Sequence, residues 1–198
     1  MILQFCGLSG AGKSTLAKLV REKLSRKGYI VEILDGDEYR QTLCCDLGFS
    51  KEDRKENLRR MAFVAAQLSK HGIITIICAI NPYEATREEI RNAYSNVKTI
   101  HIDCSLATLI NRDTKGLYRK ALLPDAHPEK ISNLTGVNDP FEVPKDADLY
   151  VNTDHYNIGE CAHQIASFTE KHFVLCTEME SKVVTNVIPL TSYQSSVI

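Results

Sequence analysis

The sequence lacks an excess of charge of either sign, and this limits the partners expected for it. Its 24 Lys and Arg residues nearly balance 25 Asp and Glu residues, which leaves a formal net charge of -1. Overall charge therefore predicts neither nucleic-acid nor membrane binding. No apolar run approaches the ~20 residues of a membrane-spanning helix, and no internal repeat is visible. We expect one domain of ordinary size from the 198 residues.

The seven cysteines lack the spacing of a metal site or a disulfide framework. Their number is odd, none falls in a C-x-x-C pair, and Cys44 and Cys45 are adjacent. Cys6, Cys78 and Cys104 lie in apolar runs, where a thiol acts as a small buried hydrophobic group. We therefore expect reduced, structural cysteines, as in a cytoplasmic protein.

Apolar strands alternate with helical patterns over most of the chain. The patterns predict strands at residues 2–6, 29–34, 73–80, 97–103 and 149–151. They predict helices at residues 13–27, 53–70, 83–95, 105–112 and 158–172. Such alternation is typical of an α/β fold, a parallel sheet of about five strands with helices on both faces. Its ligands bind at the carboxyl ends of the strands, which here precede loops at 7–14, 35–54, 80–87 and 112–142.

The tail from Thr177 departs from this pattern, because it is poorly charged and rich in β-forming residues. An added edge strand, a strand that binds a partner and a disordered end all stay open. We therefore assign residues 1–176 to the domain and residues 177–198 to a tail of unknown role.

A phosphate-binding loop follows the first strand. Gly7-Leu8-Ser9-Gly10-Ala11-Gly12-Lys13-Ser14 matches G-x-x-x-x-G-K-[ST], and Thr15 continues into an amphipathic helix. The glycines let backbone N–H groups point at phosphate oxygens, and the helix adds the positive end of its dipole. Lys13 is expected to reach the β- and γ-phosphates of ATP, and the Ser14 hydroxyl to bind Mg²⁺.

The loop alone does not separate kinases from GTPases, motors or sulfotransferases. A GTPase would carry an N-K-x-D motif, which is absent, and a motor would need a larger chain. A small nucleotide or metabolite kinase fits the length. Such a kinase needs a carboxylate near the attacking hydroxyl and cations around the transferred phosphoryl group.

Two segments supply candidates for the acceptor side. Asp35 and Asp37 follow the second strand, where Asp37 could deprotonate an acceptor hydroxyl and Asp35 could support Mg²⁺ through water; a polar β-turn is the alternative. Further along, Phe49 lies in a Gly-Phe-Ser turn and could stack on a nucleobase. Arginines that could bind phosphate or sulfate are interpreted as surrounding this aromatic, namely Arg40, Arg54, Arg59 and Arg60. Arg54 and Asn57 have the spacing to point into one cleft; a solvated, charged helix face is the alternative.

Six strings in order resemble the adenylylsulfate kinase family: GLSGAGKST, LDGDEYR, DLGFSKEDRKENLRR, NPYEATR, RDTKGLYRKAL and LTGVNDPFEVP. The resemblance extends through about residue 155. It implies a P-loop NTPase fold with a mobile lid, and transfer of the ATP γ-phosphate to the ribose 3′-hydroxyl of adenosine 5′-phosphosulfate (APS). It also implies ATP and Mg²⁺ as cofactors, a homodimer, and association with a sulfurylase as one alternative.

The resemblance implies roles for single residues as well. Asp37 corresponds to the acidic residue near the acceptor hydroxyl, and Lys13 and Arg112 to cations around the transferring group. Residues 112–120 correspond to the lid over ATP, and Phe49 to an aromatic that stacks on the adenine of APS. The other positions that correspond to acceptor contacts are Arg40, Arg54, Asn57, Ile80, Asn81, Lys120 and Leu134.

Three positions depart from the family pattern. Asn81 replaces a common Ser, which excludes a phosphoserine intermediate there. Leu134 replaces a Phe that would cover the second face of the adenine, and Asn138 replaces an Asp. A related kinase that acts on another nucleotide-linked group, such as a cytidine derivative, is therefore the main alternative. A nucleotide-binding protein without catalytic activity, acting as the partner of a sulfurylase, is the other.

Overall fold

The computed structural model describes residues 1–185, with side chains described as far as Phe173. The strands are β1 (Ile2–Cys6), β2 (Val31–Asp35), β3 (Ile74–Cys78), β4 (Val97–Asp103) and β5 (Leu149–Asn152). The longer helices are α1 (Lys13–Ser25), α3 (Lys51–Ser69), α4 (Glu84–Ala93) and α7 (Ile158–Thr185). The shorter ones are α2 (Gly36–Tyr39), α5 (Leu106–Arg112) and α6 (Leu117–Ala121).

The five strands form one parallel sheet in the order β2-β3-β1-β4-β5. From β1 the chain continues to β2, near one edge of the sheet, and from β3 it continues to β4, on the other side of β1. The two connections diverge, so the carboxyl ends of the neighbouring strands β1 and β3 frame a crevice. This is where ligands bind in open α/β sheets. The loops that follow β1 and β3 are joined there, because the Gly7 N–H donates to the Ile80 carbonyl at 3.1 Å.

Both faces of the sheet are covered by helices, which explains why β1 and β3 are buried along their whole length. On one face, α1 packs the apolar stripe Leu16, Val20 and Leu24 with α7 against the sheet. On the other, α3 packs Leu58, Met61 and Ala65. The predicted α/β fold is thereby confirmed.

Two short helices were not predicted, because a single turn carries no hydrophobic periodicity. Asp35 caps the first of them, α2, by accepting from the Asp37 N–H at 2.9 Å. The second, α6, lies within the predicted lid. Helix α3 begins two residues before its predicted start, because Ser50 and Asp53 form a reciprocal capping box.

Helix α7 continues beyond its predicted end to Thr185. The first part of the tail is therefore helical rather than an edge strand, and residues 186–198 lie outside the described residues. Among the helices that the structure describes, none has both the length and the apolar character needed to cross a membrane.

Candidate active site

A single cavity of about 670 Å³ opens at the carboxyl ends of β1, β2 and β3. It contains the phosphate-binding loop at one end and acceptor candidates at the other. Most of the site residues expected from the sequence line it: Ser9, Gly10, Gly12, Lys13, Ser14, Thr15, Asp35, Asp37, Arg40, Phe49, Arg54, Asn57, Ile80, Asn81 and Leu134. Gly7, Leu8, Ala11, Arg112 and Lys120 are not part of the lining.

The phosphate-binding loop has positive φ angles, which favour glycine, at Gly7, Gly10 and Gly12. Gly7 has φ 152°, and a Cβ there would lie 2.2 Å from the Ile102 carbonyl oxygen of β4. Gly12, with φ 95°, directly precedes α1. The loop therefore passes close to β4 and then turns sharply into the helix, with the N-terminal end of α1 facing the cavity.

Lys13 is folded back across its own loop. Its Nζ donates to the Gly7 carbonyl at 2.8 Å and to the Leu8 carbonyl at 2.7 Å. Burial lowers the pKa of this amine, because the interior disfavours the charged form. A phosphate placed in the loop would restore a favourable partner for the ammonium group.

Ser14 and Asp35 place two oxygen atoms side by side in the cavity wall. The Ser14 Oγ donates to Asp35 Oδ2 at 2.9 Å, while Asp35 Oδ1 is held by the Asp37 N–H. Hydroxyl and carboxylate oxygens are the ligands that Mg²⁺ prefers, and Mg²⁺ in kinases usually needs few of them because phosphates and waters complete its shell. The pair therefore fits a nucleotide-bound Mg²⁺, although no group of three or more His, Cys, Asp or Glu side chains suited to a metal ion occurs among the side chains that the structure describes.

Asp37 is paired across the cavity with a cation of the predicted lid. Lys115 Nζ lies 2.5 Å from Asp37 Oδ2, although 78 residues separate the two in sequence. Three residues further on, the Tyr118 hydroxyl donates to the Ser9 carbonyl of the phosphate-binding loop at 2.7 Å. Burial raises the pKa of Tyr118 to about 12, so this hydroxyl keeps its proton at neutral pH. The lid segment is thus joined to α2 by Lys115 and to the phosphate-binding loop by Tyr118.

Arg112 and Lys120, the two lid cations singled out from the sequence, lie outside the cavity lining. The Arg112 guanidinium donates to the Thr153 carbonyl at 3.2 Å and approaches the Cys104 Sγ. Lys120 forms an ion pair with Glu129 at 3.2 Å. Lys115 lines the cavity in their place, and the sequence offered no signal to choose it from the several cations of this segment.

An exposed aromatic and two arginines form the far end of the cavity. The Phe49 ring is 56% exposed, and the Arg40 guanidinium lies 4.5 Å from its centroid. Arg54 is buried; its Nε donates to the Phe49 carbonyl at 3.0 Å and its Nη2 to the Asn133 carbonyl at 2.6 Å. Arg54 therefore holds together the two loops that carry Phe49 and Leu134.

The interpretation that four arginines surround Phe49 is wrong for two of them. Arg59 pairs with Glu89 at 2.6 Å, and Arg60 pairs with Asp46 at 2.6 Å. Both lie on the solvent side of α3, because five and six residues along a helix lead to a different face from that of Arg54. Asn57, three residues after Arg54, is buried and faces the cavity as expected.

The loop that follows the lid is held by Asn138, one of the three departures from the family pattern. Its Oδ1 accepts from the Leu134 N–H at 2.9 Å, and its Nδ2 donates to the carbonyls of Ala121 and Ile131 at 3.3 and 3.2 Å. A carboxylate could not make the last two bonds. Asn138 is not in the cavity lining, so its amide affects the cavity indirectly, by holding the backbone of Leu134, which is in the lining.

Comparisons with known proteins agree on one family. The family model described as adenylylsulphate kinase matches residues 1–152. The adenylyl-sulfate kinase of Deinococcus deserti is 44% identical over 164 residues, which cover 83% of this chain and 88% of that protein. The adenylyl-sulfate kinase of Chloroflexus aurantiacus is 43% identical over 171 residues, covering 86% and 89%.

Solved structures give the same result. The Mycobacterium tuberculosis APS kinase in complex with AMPPNP and APS superposes with a TM-score of 0.78 at 38% identity, covering 85% of this chain and 96% of that one. A hexameric APS kinase from Thiobacillus denitrificans gives a TM-score of 0.63 at 32% identity, covering 87% of this chain and 29% of that one. The range of the family model, residues 1–152, contains the described sheet, the lid segment and the residues that line the cavity.

Proposed function

The chain belongs to the adenylylsulfate kinase family, and we propose that its cavity carries out that family's reaction. The γ-phosphoryl group of ATP is transferred to the 3′-hydroxyl of APS, which gives ADP and 3′-phosphoadenosine 5′-phosphosulfate. The observation that carries this proposal is the continuity of the cavity, in which a phosphate-binding loop and an acceptor-type carboxylate, Asp37, share one space.

The ATP end uses the residues of the loop from Gly7 to Thr15. Their backbone N–H groups and the start of α1 hold the β- and γ-phosphates, and Lys13 exchanges its two carbonyl partners for phosphate oxygens. Ser14 would hold Mg²⁺ directly and Asp35 through water, and the ion would neutralise part of the phosphate charge. Arg112 borders this end, because its partner Thr153 in turn donates to the Ala11 carbonyl at 3.3 Å.

The acceptor end positions the hydroxyl for attack. The 3′-hydroxyl gives its proton to Asp37 as its oxygen bonds to the γ-phosphorus, and the bond from that phosphorus to ADP breaks. Lys115, which already lies against Asp37, supplies positive charge from the lid. Lys120 supports this end of the cavity with its backbone: its carbonyl oxygen accepts a hydrogen bond from the N–H of Ile131.

The acceptor nucleotide is held by the far end of the cavity. Phe49 and Leu134 form the two walls for the adenine, and the Ile80 and Asn81 segment lies beside the ribose. Arg40 and Asn57 contact the phosphosulfate nucleotide. Arg54 adds a buried positive charge and fixes the distance between the walls through its bonds to Phe49 and Asn133.

Assembly and location follow from the resemblance rather than from the cavity. We propose a homodimer located in the cytoplasm, with association to a sulfurylase as a further assembly. Sedimentation of the purified chain, alone and with a sulfurylase, tests both assemblies. A monomer at micromolar concentration would contradict the first.

The decisive experiment is a coupled ADP-release assay with ATP, Mg²⁺ and a panel of acceptors. We expect turnover with APS, and none with the Lys13→Ala variant, which serves as the matched control for contaminating kinases. Leu134, in place of the aromatic common in the family, favours one second candidate, a kinase for a nucleotide with a smaller base. Turnover of a cytidine acceptor without turnover of APS would establish that candidate and contradict the proposal.

A further inference from the structure

A fully buried arginine on α4, Arg87, joins two segments of the chain without lining the cavity itself. Its Nη1 donates to the Asn81 carbonyl at 2.6 Å, and its Nη2 donates to the Glu142 carbonyl at 2.6 Å. The same Nη2 pairs with the Glu84 carboxylate, which offsets the buried positive charge. One planar guanidinium therefore connects the loop after β3 to the segment that contains Glu142.

Glu142 is bound to the start of α4 by two further hydrogen bonds. Its N–H donates to the Pro82 carbonyl at 2.8 Å, and its carboxylate accepts from the Glu84 N–H at 2.7 Å. Glu84 is the first residue of α4, and a carboxylate at the N-terminal end of a helix is favoured by the helix dipole. The N–H, the carbonyl and the side chain of Glu142 are thus all held by residues 82–87.

The segment before Glu142 contributes part of the cavity wall. Leu134 and Thr135 are in the cavity lining. The turn that follows them is closed by the Asp139 N–H, which donates to the Leu134 carbonyl at 3.1 Å, and by the Thr135 hydroxyl, which donates to the Asp139 carboxylate at 3.2 Å. Only two residues separate Asp139 from Glu142. A shift of Glu142 should therefore move the wall formed by Leu134 and Thr135.

Burial alone does not account for an arginine at position 87. An apolar side chain could fill the same space, and exchanging a buried ion pair for apolar residues is often neutral or stabilising. The positions of the hydrogen-bond acceptors do account for it, because only a planar fork of donors reaches both carbonyls and the Glu84 carboxylate. Arg91, one turn further along α4, instead donates to Thr99 Oγ1 at 2.9 Å and to the Asp146 carbonyl at 3.1 Å.

We propose that Arg87 is a positioning residue for the acceptor nucleotide. By holding Glu142 against the start of α4, it sets the position of the wall formed by Leu134 and Thr135. This inference rests on the proposed function, in which that wall borders the acceptor base. Arg87 itself contacts no substrate, so its loss should weaken acceptor binding and leave ATP binding unchanged.

The first test is the substitution Arg87→Lys in the ADP-release assay. Lysine keeps the positive charge beside Glu84, but its single ammonium group lacks the planar fork that reaches both carbonyls. We expect the KM for APS to rise about three- to tenfold, the range of one neutral hydrogen bond. The KM for ATP should not change. Glu142→Ala, at an exposed side chain, should raise the KM for APS by a smaller factor.

Arg91→Lys is the matched control, because Arg91 lies on the same helix and also binds a carbonyl of the segment after Glu142. This variant should leave the KM for APS unchanged. Thermal unfolding of all variants reports their stability. A merely structural role would lower the unfolding temperature in both lysine variants without separating the KM for APS from the KM for ATP.

A double-substitution cycle tests whether Arg87 acts through the wall. If it does, Arg87→Lys should raise the KM for APS by a smaller factor in a Leu134→Ala background than in the unmodified protein, because the wall is already shortened there. Equal factors in the two backgrounds would overturn the action through Leu134.

Hydrogen exchange of the backbone amides of residues 134–142 gives a readout without turnover. We expect faster exchange in Arg87→Lys than in the unmodified protein or in Arg91→Lys. Unchanged exchange would overturn the hold on this segment, and an unchanged KM for APS in folded Arg87→Lys would overturn the positioning role. A complete lack of APS turnover by the unmodified protein would instead reject the proposed function, while hydrogen exchange would still decide whether Arg87 holds the segment.

Discussion

The two ends of the cavity are built in different ways. The proposed ATP end is one continuous segment, residues 7–15, whose backbone N–H groups would bind the phosphates and whose three glycines have positive φ. The acceptor end is assembled from separate segments around Asp37, Phe49, Asn81, Lys115 and Leu134. These segments are far apart in sequence and meet only in the folded chain.

The difference has a consequence for substitutions. In the proposed reaction, each group at the ATP end acts on the phosphates that every turnover requires, so a loss there should affect all acceptors equally. At the acceptor end, Arg40 and Arg54 already donate to main-chain carbonyls. Their guanidinium groups therefore fix the shape of the pocket as well as adding positive charge to it. Changes there should be smaller and should depend on the acceptor used.

The largest effect is expected at the ATP end. Lys13→Ala and Ser14→Ala should each lower kcat by about 10³-fold or more, because each removes a group that stabilises charge on the transferring phosphoryl. ADP release measures the loss, and Lys18→Ala, an exposed position one turn further along α1, is the control. Near-normal turnover by a folded Lys13→Ala protein would reject the assignment of the loop.

Asp37→Asn should lower kcat by about 10²-fold, because the amide cannot accept the proton of the acceptor hydroxyl. The KM for ATP should change little, which separates the acceptor end from the ATP end. Steady-state kinetics with both substrates varied give the two values, and Glu38→Gln, an exposed neighbour, is the matched control. If the only change were a higher KM for ATP, Asp37 would belong to the nucleotide or metal site instead.

Substitutions of Lys115 and Arg112, two cations of the lid segment, test the separation between the acceptor end and the ATP end within one segment. Lys115→Ala should lower kcat about tenfold or more, the value of one charge-assisted contact, because Lys115 lies against Asp37. Arg112→Ala should mainly raise the KM for ATP, because its guanidinium is bound beside the phosphate-binding loop. The reverse pattern, with kcat lost in Arg112→Ala and ATP binding weakened in Lys115→Ala, would contradict this assignment.

The smallest effect is expected at the base wall. Leu134→Phe should lower the KM for APS about fivefold, since a second stacking face adds about 1 kcal/mol, the lower end of the range for a base on an aromatic ring. The KM for ATP should not change, and a cytidine acceptor measured in parallel reports on the shape of the pocket. Weaker APS binding by Leu134→Phe would show that the pocket is already filled by Leu134.

The fold and the phosphate-binding loop could be predicted because their signals are local. Apolar runs marked β1, β3 and β4, and the glycine spacing of residues 7–12 marked the loop between a strand and a helix. One-turn helices such as α6 escaped, since a single turn has no period to detect. The exact partner of each lid cation escaped for a different reason, because nothing near Lys115 in sequence distinguishes it from Lys120 or Arg112.

The sequence by itself determined the parallel sheet, the order of its elements and the position of the phosphate-binding loop, because backbone geometry and hydrophobic periodicity act over a few residues. The tertiary structure alone decided that Lys115 reaches Asp37 and that Arg59 and Arg60 face solvent. It also decided that the Asn81 Nδ2 donates to Gln4 Oε1, a contact between residues 77 apart. Such pairs depend on how the strands and loops pack against one another, and that packing leaves no pattern in the neighbouring residues.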